Sequence, residues 1–298
     1  MTATPDAPIG RRTLLTAAAG GGVLFLAACS QSSPKAAAAL PKSSPTPAVP
    51  AVTGVSPASG SLSGGTTVTI TGKNLRGAST IVFGSGEPLQ LTAVSDTEAT
   101  VTSPPSVDYA AVSVPLQLLG PAGQRIDTAQ NYEFAAVTPV DKQMLYAFTY
   151  WKNYNTAEWG VFTGNDCGNF VNQTLVQRGW KQSRAWYSNY ATTGAFSLSW
   201  VRGTPMFNYL SSRPDVTHYS VDQRDKVKVG DVVMFDWDPQ KHDGVDHTMV
   251  VSRVDKNADG TIAIKLVGHT VDAQYRDLDT AITVEHPGGT AHFFSIAS

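Results

Sequence analysis

Cysteine and histidine are the residue types in this chain best suited to nucleophilic and acid–base chemistry, and the chain has 2 and 6 of them. Cys167 lies in the stretch GNDCGNFVNQ, residues 164–173, and every histidine follows it in the sequence. A cysteine in an apolar setting is usually an inert core residue. A chemical role for Cys167 therefore needs support from the elements around it.

The segment around Cys167 has the signals of a helix start. Asn165 and Asp166 precede an apolar periodic run as N-cap residues do, and Gly179 closes the run, which predicts a helix over about 166–178. Cys167 then occupies the first turn and faces inward. The free backbone N–H groups and the positive end of the helix dipole would favour its thiolate form there.

A base for this thiol is expected from a later β-hairpin. The segments DHTMVVSRVD (246–255) and TIAIKLVGHT (261–270) read as two strands joined by a KNADG turn, after a first strand within 227–238. His247 opens one strand and His269 closes its partner, so an antiparallel pairing can bring them together. Such a thiol, base and orienting residue form the constellation of nucleophilic catalysis. The remaining histidines are expected in surface or core roles: His218, His242, His286 and His292.

The N-terminus reads as an export signal. Arg11 and Arg12 precede a short uncharged apolar run, and Leu-Ala-Ala-Cys at 26–29 resembles the lipobox of bacterial lipoproteins. Residues 1–28 are therefore expected to be a twin-arginine signal peptide, with Cys29 lipidated. An uncleaved anchor helix is the alternative. If Cys29 carries lipid, Cys167 is the only thiol of the mature chain and has no disulfide partner within it.

Net charge and composition limit the classes of binding partner to expect. The formal net charge is −2, and loss of Arg11, Arg12 and Asp6 with the signal makes it −3. No basic domain is present, which argues against a nucleic-acid partner. Residues 29–50 are rich in Pro, Ala and Ser and predict an extended tether that holds the folded part outside the membrane.

Residues 51–137 carry short alternating runs of β-forming residues between turn signals, which predict a β-sandwich. The runs are TTVTITG, STIVFGS, EATVTS and VSVPLQLLG. The stretch from Val52 to about Phe134 resembles the immunoglobulin-like IPT/TIG domain in its Ser-Pro turn, Gly-Gly, Thr-rich strand and G-x-N-L motif. This part contains no His or Cys and is assigned no chemistry.

Residues 138–298 resemble the bacterial "putative amidase domain" group within the NlpC-type, papain-like cysteine peptidases of cell walls. The resemblance rests on NDCGNFVNQ, VGDVVMFDWD, VDHTMVV and GHT. It implies an α+β papain-like domain with Cys167 as nucleophile, His247 as general base and His269 as the orienting third member. The helix N-terminus at Asp166 and Cys167 would hold the oxyanion. Gly168 and Asn169 depart from the Ser and Gly common in the wider superfamily.

Metal and cofactor sites are not expected. The loop with Asp236, Asp238, Asp243 and Asp246 could hold calcium weakly, but a solvated loop is the favoured interpretation. The run DKNADGTI at 255–262 lacks the acidic residue at position twelve of a calcium loop and predicts a hairpin turn. One cysteine and scattered histidines give zinc no adequate ligand set.

The sequence thus predicts a tethered extracytoplasmic cysteine amidase or peptidase that acts on peptidoglycan peptides. Aromatic residues in RAWYSNYATTGAFS are expected to wall part of its cleft. Two alternatives remain open at this point: a non-catalytic wall-binding lipoprotein, and a Cys-His acyltransferase of the transglutaminase kind.

Overall fold

A computed structural model describes residues 48–92, 94–120 and 122–297. The predicted signal peptide, Arg11, Arg12, Cys29 and nearly all of the 29–50 linker lie outside these ranges. Across the described ranges, none of the helices has the length and apolar character needed to cross a membrane.

The N-terminal domain is built from short strands in two sheets. The sheet orders are β1-β3-β6 and β2-β8-β7-β4-β5, and all pairs are antiparallel except β2 with β8. Alternating residues of both sheets, such as Ile70 and Leu116, are buried in one core. The predicted strands are confirmed, since period-two Val, Ile and Thr place one face inward. The strands are β1 (Ala51–Ser56), β2 (Ser59–Ser61), β3 (Thr67–Lys73), β4 (Thr80–Phe83), β5 (Leu89–Gln90), β6 (Glu98–Thr102), β7 (Val112–Leu119) and β8 (Arg125–Ala135).

The C-terminal domain is a mixed α/β domain. Its helices are α1 (Pro139–Tyr150), α2 (Thr156–Trp159), α3 (Cys167–Arg178), α4 (Tyr190–Thr193), α5 (Leu198–Val201), α6 (Gly203–Ser211) and α7 (Leu278–Thr280). Its strands are β9 (Ser188–Asn189), β10 (Ala195–Phe196), β11 (Val216–Ser220), β12 (Val232–Asp236), β13 (His247–Lys256), β14 (Ile262–Gly268), β15 (Ala273–Asp277) and β16 (Thr290–Ile296). Six of these strands form one antiparallel sheet in the order β11-β16-β12-β13-β14-β15.

The hairpin of β13 and β14 is confirmed. Val250 pairs with Val267 and Lys256 with Ile262, with a register irregularity between Val251 and Arg253. The turn at 257–261 closes with the Asn257 N–H donating to the Thr261 carbonyl, and Gly260 supplies the left-handed conformation at φ 87°. The DKNADG run is therefore a hairpin turn, as the sequence predicts.

One contact between the domains is made at the first turn of α1. Thr138 and Asp141 form a capping box there, and the same Asp141 carboxylate accepts hydrogen bonds from Ser61 Oγ at 2.7 Å and the Ser63 N–H at 2.9 Å. Burial opposes ionisation of Asp141, but these hydrogen bonds and that from Thr138 outweigh it and lower its pKa.

A second contact between the domains is aromatic. Tyr109 donates its hydroxyl to the Ser252 carbonyl at 2.6 Å and packs its ring on Phe148, with centroids 4.9 Å apart. Tyr275 also packs on Phe148 and donates to the Asp108 carboxylate at 3.0 Å. Buried residues of both domains consequently belong to one continuous core.

Candidate active site

Helix α3 places Cys167 at its first residue and ends at Gly179, which has φ 113°. The predicted helix is confirmed to within one residue. Gly168 is required by packing, because a Cβ there would lie 3.0 Å from the Val201 carbonyl oxygen and 3.1 Å from that of Trp200. The glycine thus lets the start of α3 approach the backbone of α5.

Asp166 stands at the N-cap position of α3, but its side chain does not cap the helix. Its Oδ1 accepts from the Phe162 N–H at 2.8 Å and from Asn169 Nδ2 at 3.0 Å, and its Oδ2 lies 2.6 Å from His269 Nδ1. The predicted N-cap position is confirmed, although its side chain binds elsewhere. Because the carboxylate is engaged elsewhere, no side chain of the described residues caps the first-turn N–H groups of α3.

Asn169 accounts for the second departure from the superfamily pattern. This residue is fully buried, donates to Asp166, and accepts from Trp200 Nε1 at 2.8 Å through its Oδ1. Its amide supplies both the donor and the acceptor that these neighbours need. Asn169 therefore links the residue before Cys167 to the aromatic core.

Cys167 and His247 line the same cavity. The cavity has a volume of about 10 Å³, which is room for about one water molecule. Its other lining residues come from α3, the α5–α6 junction and the start of β13: Asn165, Gly168, Val201, Arg202, Gly203, Met206, Asp246 and Thr248. The structure thus brings together the predicted nucleophile and the predicted base.

The Cys167 thiol is buried, at 6% exposure. Burial raises its pKa, and backbone hydrogen bonds from Thr248 and Gly168 act in the opposite direction without offsetting it. The helix start does supply N–H groups, as the sequence predicts, but burial opposes their effect and favours the neutral thiol.

The His247 imidazole is also buried and neutral. It opens β13, is 7% exposed, and lies against Phe235 and Trp237 with ring centroids 6.0 and 6.1 Å away. Burial lowers its pKa to about 4, with smaller contributions from the positive charges of Arg276 and His286. Its Nε2 is enclosed and has no hydrogen-bond partner among the described residues.

His269 does not orient His247, and this prediction needs correction. Its Nδ1 faces Asp166 Oδ2 and its Nε2 lies 2.8 Å from the Tyr150 carbonyl oxygen, so both ring nitrogens are engaged away from His247. The hairpin does bring the start of β13 beside the end of β14. The residue before α3, Asp166, and the last residue of α1, Tyr150, contact the two ring nitrogens instead.

Both ring nitrogens of His269 have hydrogen-bond partners. A backbone carbonyl can only accept, so Nε2 donates to Tyr150. Nδ1 lies against the Asp166 carboxylate, and both side chains are almost fully buried. His269 therefore holds the segment before Cys167 in place.

Sequence reasoning missed the residues that enclose His269. Tyr154 stacks on one face at 3.6 Å with an interplanar angle of 6°, and Phe170 stacks near the other at 4.1 Å. Tyr154 is fixed by its hydrogen bond to Asp272, and Thr270 Oγ1 accepts from the Asp166 N–H at 3.0 Å. Nothing in the spacing of Tyr154 indicates a stacking partner so distant in sequence.

A larger groove of about 390 Å³ continues from the cavity of Cys167 and His247, and the two share Asn165, Val201 and Arg202. Three aromatic rings form one wall of this groove: Phe162 stacks on Tyr190, and Phe196 packs edge-to-face against both. The remaining lining residues are Val161, Thr163 and Leu198. The predicted aromatic wall is thus present at Tyr190 and Phe196, whereas Trp186 of the same stretch is core.

The acidic loop before His247 converges only in part. Carboxylate oxygens of Asp236, Asp238 and Asp246 lie within 4.8 Å of one another. Several of them have partners already, since Asp246 accepts from the Trp237 N–H at 2.8 Å and Asp238 pairs with Lys241.

The fold and the cavity define a protein with an N-terminal β-sandwich and a C-terminal mixed α/β domain in which a thiol and an imidazole share a buried cavity. Residues 137–293 match the family described as "Putative amidase domain", and residues 50–134 match the IPT/TIG domain. The chain belongs to this amidase-domain family, which indicates a hydrolase of the amidase type.

No curated protein matches the chain. Among solved structures, the extracellular region of plexin A4 is 24% identical over 30% of this chain and 9% of its own, with a TM-score of 0.27. An auxiliary nutrient binding protein from Bacteroides ovatus is 17% identical over 29% of this chain and 21% of its own, with a TM-score of 0.22. The matches span only these small shares of the similar chains.

Proposed function

We propose that this protein is an exported, lipid-anchored cysteine amidase that hydrolyses amide bonds in cell-wall peptides. One observation carries the proposal: the only cysteine of the folded domains and a buried neutral histidine line one cavity at the uncapped start of a helix. Nucleophile, base and backbone N–H donors are the parts that amide cleavage by a thiol requires.

The pair starts neutral, so proton transfer accompanies attack. His247 Nδ1 takes the thiol proton, because Nε2 is enclosed, while Cys167 Sγ forms a bond to the substrate carbonyl carbon. The N–H groups near the sulfur, those of Cys167, Gly168 and Thr248, stabilise the oxyanion. Collapse breaks the C–N bond, and the leaving amine receives the proton from His247.

A water molecule completes the cycle. His247 takes a proton from the water as it attacks the thioester, and Cys167 leaves and regains its proton. The products are a carboxylic acid and an amine. A papain-like arrangement of helix and sheet, as the family resemblance implies, would place these groups as described.

The cell-wall location rests on the sequence beyond the described residues. Arg11 and Arg12 would direct export, Cys29 would carry lipid, and the Pro-rich linker would let the domains reach wall material. A peptide substrate suits the groove, whose aromatic wall offers stacking surfaces next to the cavity.

The test is digestion of purified sacculi by wild type and Cys167→Ala, read by mass spectrometry. We expect new carboxylate and amine termini from wild type alone, with thermal midpoints of the two proteins within a few degrees. Cys167→Ser is the matched variant that keeps the size of the side chain. Equal products from wild type and Cys167→Ala would refute the mechanism, and an adduct with added primary amine would indicate acyl transfer.

A further inference from the structure

Arg202 is placed where it can select substrates. It is exposed and lines both the catalytic cavity and the adjoining groove. Within the described residues its guanidinium forms no salt bridge, although several other arginines do. A guanidinium with five N–H donors and no acidic partner is suited to a carboxylate ligand.

The only charge on the groove wall is positive. Among its nine lining residues Arg202 is the only ionisable side chain apart from the Tyr190 phenol, and no carboxylate contributes to the wall. Asp246 lies beyond the junction, on the wall of the catalytic cavity. The groove itself is therefore complementary to an anion beside an apolar group.

Two helix N-termini add backbone dipoles to this positive charge. Arg202 is the N-cap residue of α6, which has nine residues and no acidic side chain in its first turn. Cys167 begins α3, so two helix N-termini meet at one cavity. The positive ends of both dipoles favour negative charge there.

We propose that Arg202 is a specificity-determining residue that binds a substrate carboxylate close to the scissile amide. The neighbouring part of the substrate is apolar and packs on the wall of Phe162, Tyr190 and Phe196. The inference rests on the proposed function, since it assigns the substrate class of the same site: amides that carry a free carboxylate beside the bond to be cut.

Alkylation of Cys167 tests the charge preference without requiring turnover. Iodoacetate and iodoacetamide react by the same step, in which the thiolate displaces iodide and forms a C–S bond, but only iodoacetate carries a carboxylate. We expect Arg202→Gln to lower the iodoacetate-to-iodoacetamide rate ratio by about three- to fivefold, the range of an exposed ion pair. Peptide mapping by mass spectrometry follows Cys167 separately from Cys29.

Two variants sharpen this measurement. Arg76→Gln removes an exposed arginine from the N-terminal domain and should leave the ratio unchanged. Asp246→Asn removes the negative charge on the cavity wall and should raise the ratio, opposite to the effect of Arg202→Gln. An unchanged ratio in Arg202→Gln would overturn the inference.

Turnover separates this inference from the proposed function. For peptide amides that differ only in Glu or Gln beside the scissile bond, wild type should prefer Glu, and Arg202→Gln should lose the preference mainly through KM. Equal cleavage of both peptides by wild type would refute the role of Arg202. No cleavage of either peptide, together with a normal alkylation preference, would refute the proposed function and leave the anion site supported.

Discussion

The regions around His247 and His269 show how one sheet gives two histidines opposite properties. Both imidazoles are at least nine-tenths buried and lie at the same end of neighbouring strands. His269 has a hydrogen-bonding acceptor at each nitrogen, whereas His247 has an enclosed Nε2 without a partner. Burial alone therefore does not define a catalytic histidine, and the partners of its nitrogens do.

The largest effect is expected at His247. Replacing it with Gln removes the base assigned to Cys167, so amide turnover should fall by about 10²- to 10⁴-fold. Folding at neutral pH should be nearly unchanged, because Gln leaves no buried charge. Steady-state kinetics and thermal unfolding measure the two results, and His242→Gln, at an exposed loop, is the matched control. Turnover within twofold of wild type would contradict a role for His247 as base.

The opposite result is expected at His269. Replacing it with Gln removes the Nδ1 partner of the buried Asp166 carboxylate, which should lower the free energy of unfolding by about 3 kcal/mol. Denaturant unfolding measures this loss. The double variant with Asp166→Asn should be more stable than the two single losses predict, because neither residue then remains without the other. Strict additivity would show that the pair is not coupled.

Stability at mildly acidic pH gives the third comparison. The pKa of His247 is 6.5 in the unfolded chain and about 4 in the folded protein, so the unfolded state binds more protons between these values. Its contribution to stability is full above pH 6.5 and is lost as pH falls toward 4, by about 3 kcal/mol.

This loss should be smaller in His247→Gln than in wild type. Burial also lowers the pKa values of His218 and His292, but both remain in the variant, so the difference between the two proteins isolates His247. Arg276 and His286, which face His247, are likewise retained. Identical pH dependence of the unfolding free energy in both proteins would contradict the low pKa.

Local patterns in the sequence predicted the elements well. The structure confirms the end of α3 at Gly179, the strands of the N-terminal domain and the KNADG hairpin. Each of these features depends on residues that are close together in the sequence. The sequence also predicted that Cys167 and His247 lie together. The helix start and the strand start could each be recognised locally, and the family resemblance implied that the two residues share one site.

The predictions that failed depend on contacts between residues far apart in the sequence. The Asp166 side chain can either cap α3 or bind another side chain, and the outcome depends on the His269 imidazole, 103 residues later. The thiol pKa depends on how deeply α3 packs, which helix periodicity does not reveal. No pattern in the sequence indicated a role for Arg202, because the absence of an acidic partner can be recognised only from the three-dimensional structure.

Because the two domains share a core, the C-terminal domain depends on contacts that the N-terminal domain supplies. Removing residues 51–137 would expose Phe148, deprive Asp141 of its two serine donors and leave the Ser252 carbonyl without Tyr109. The amidase domain is thus a poor candidate for excision as a stand-alone catalyst. The sandwich serves it as a permanent scaffold, and heating should melt both in a single cooperative step.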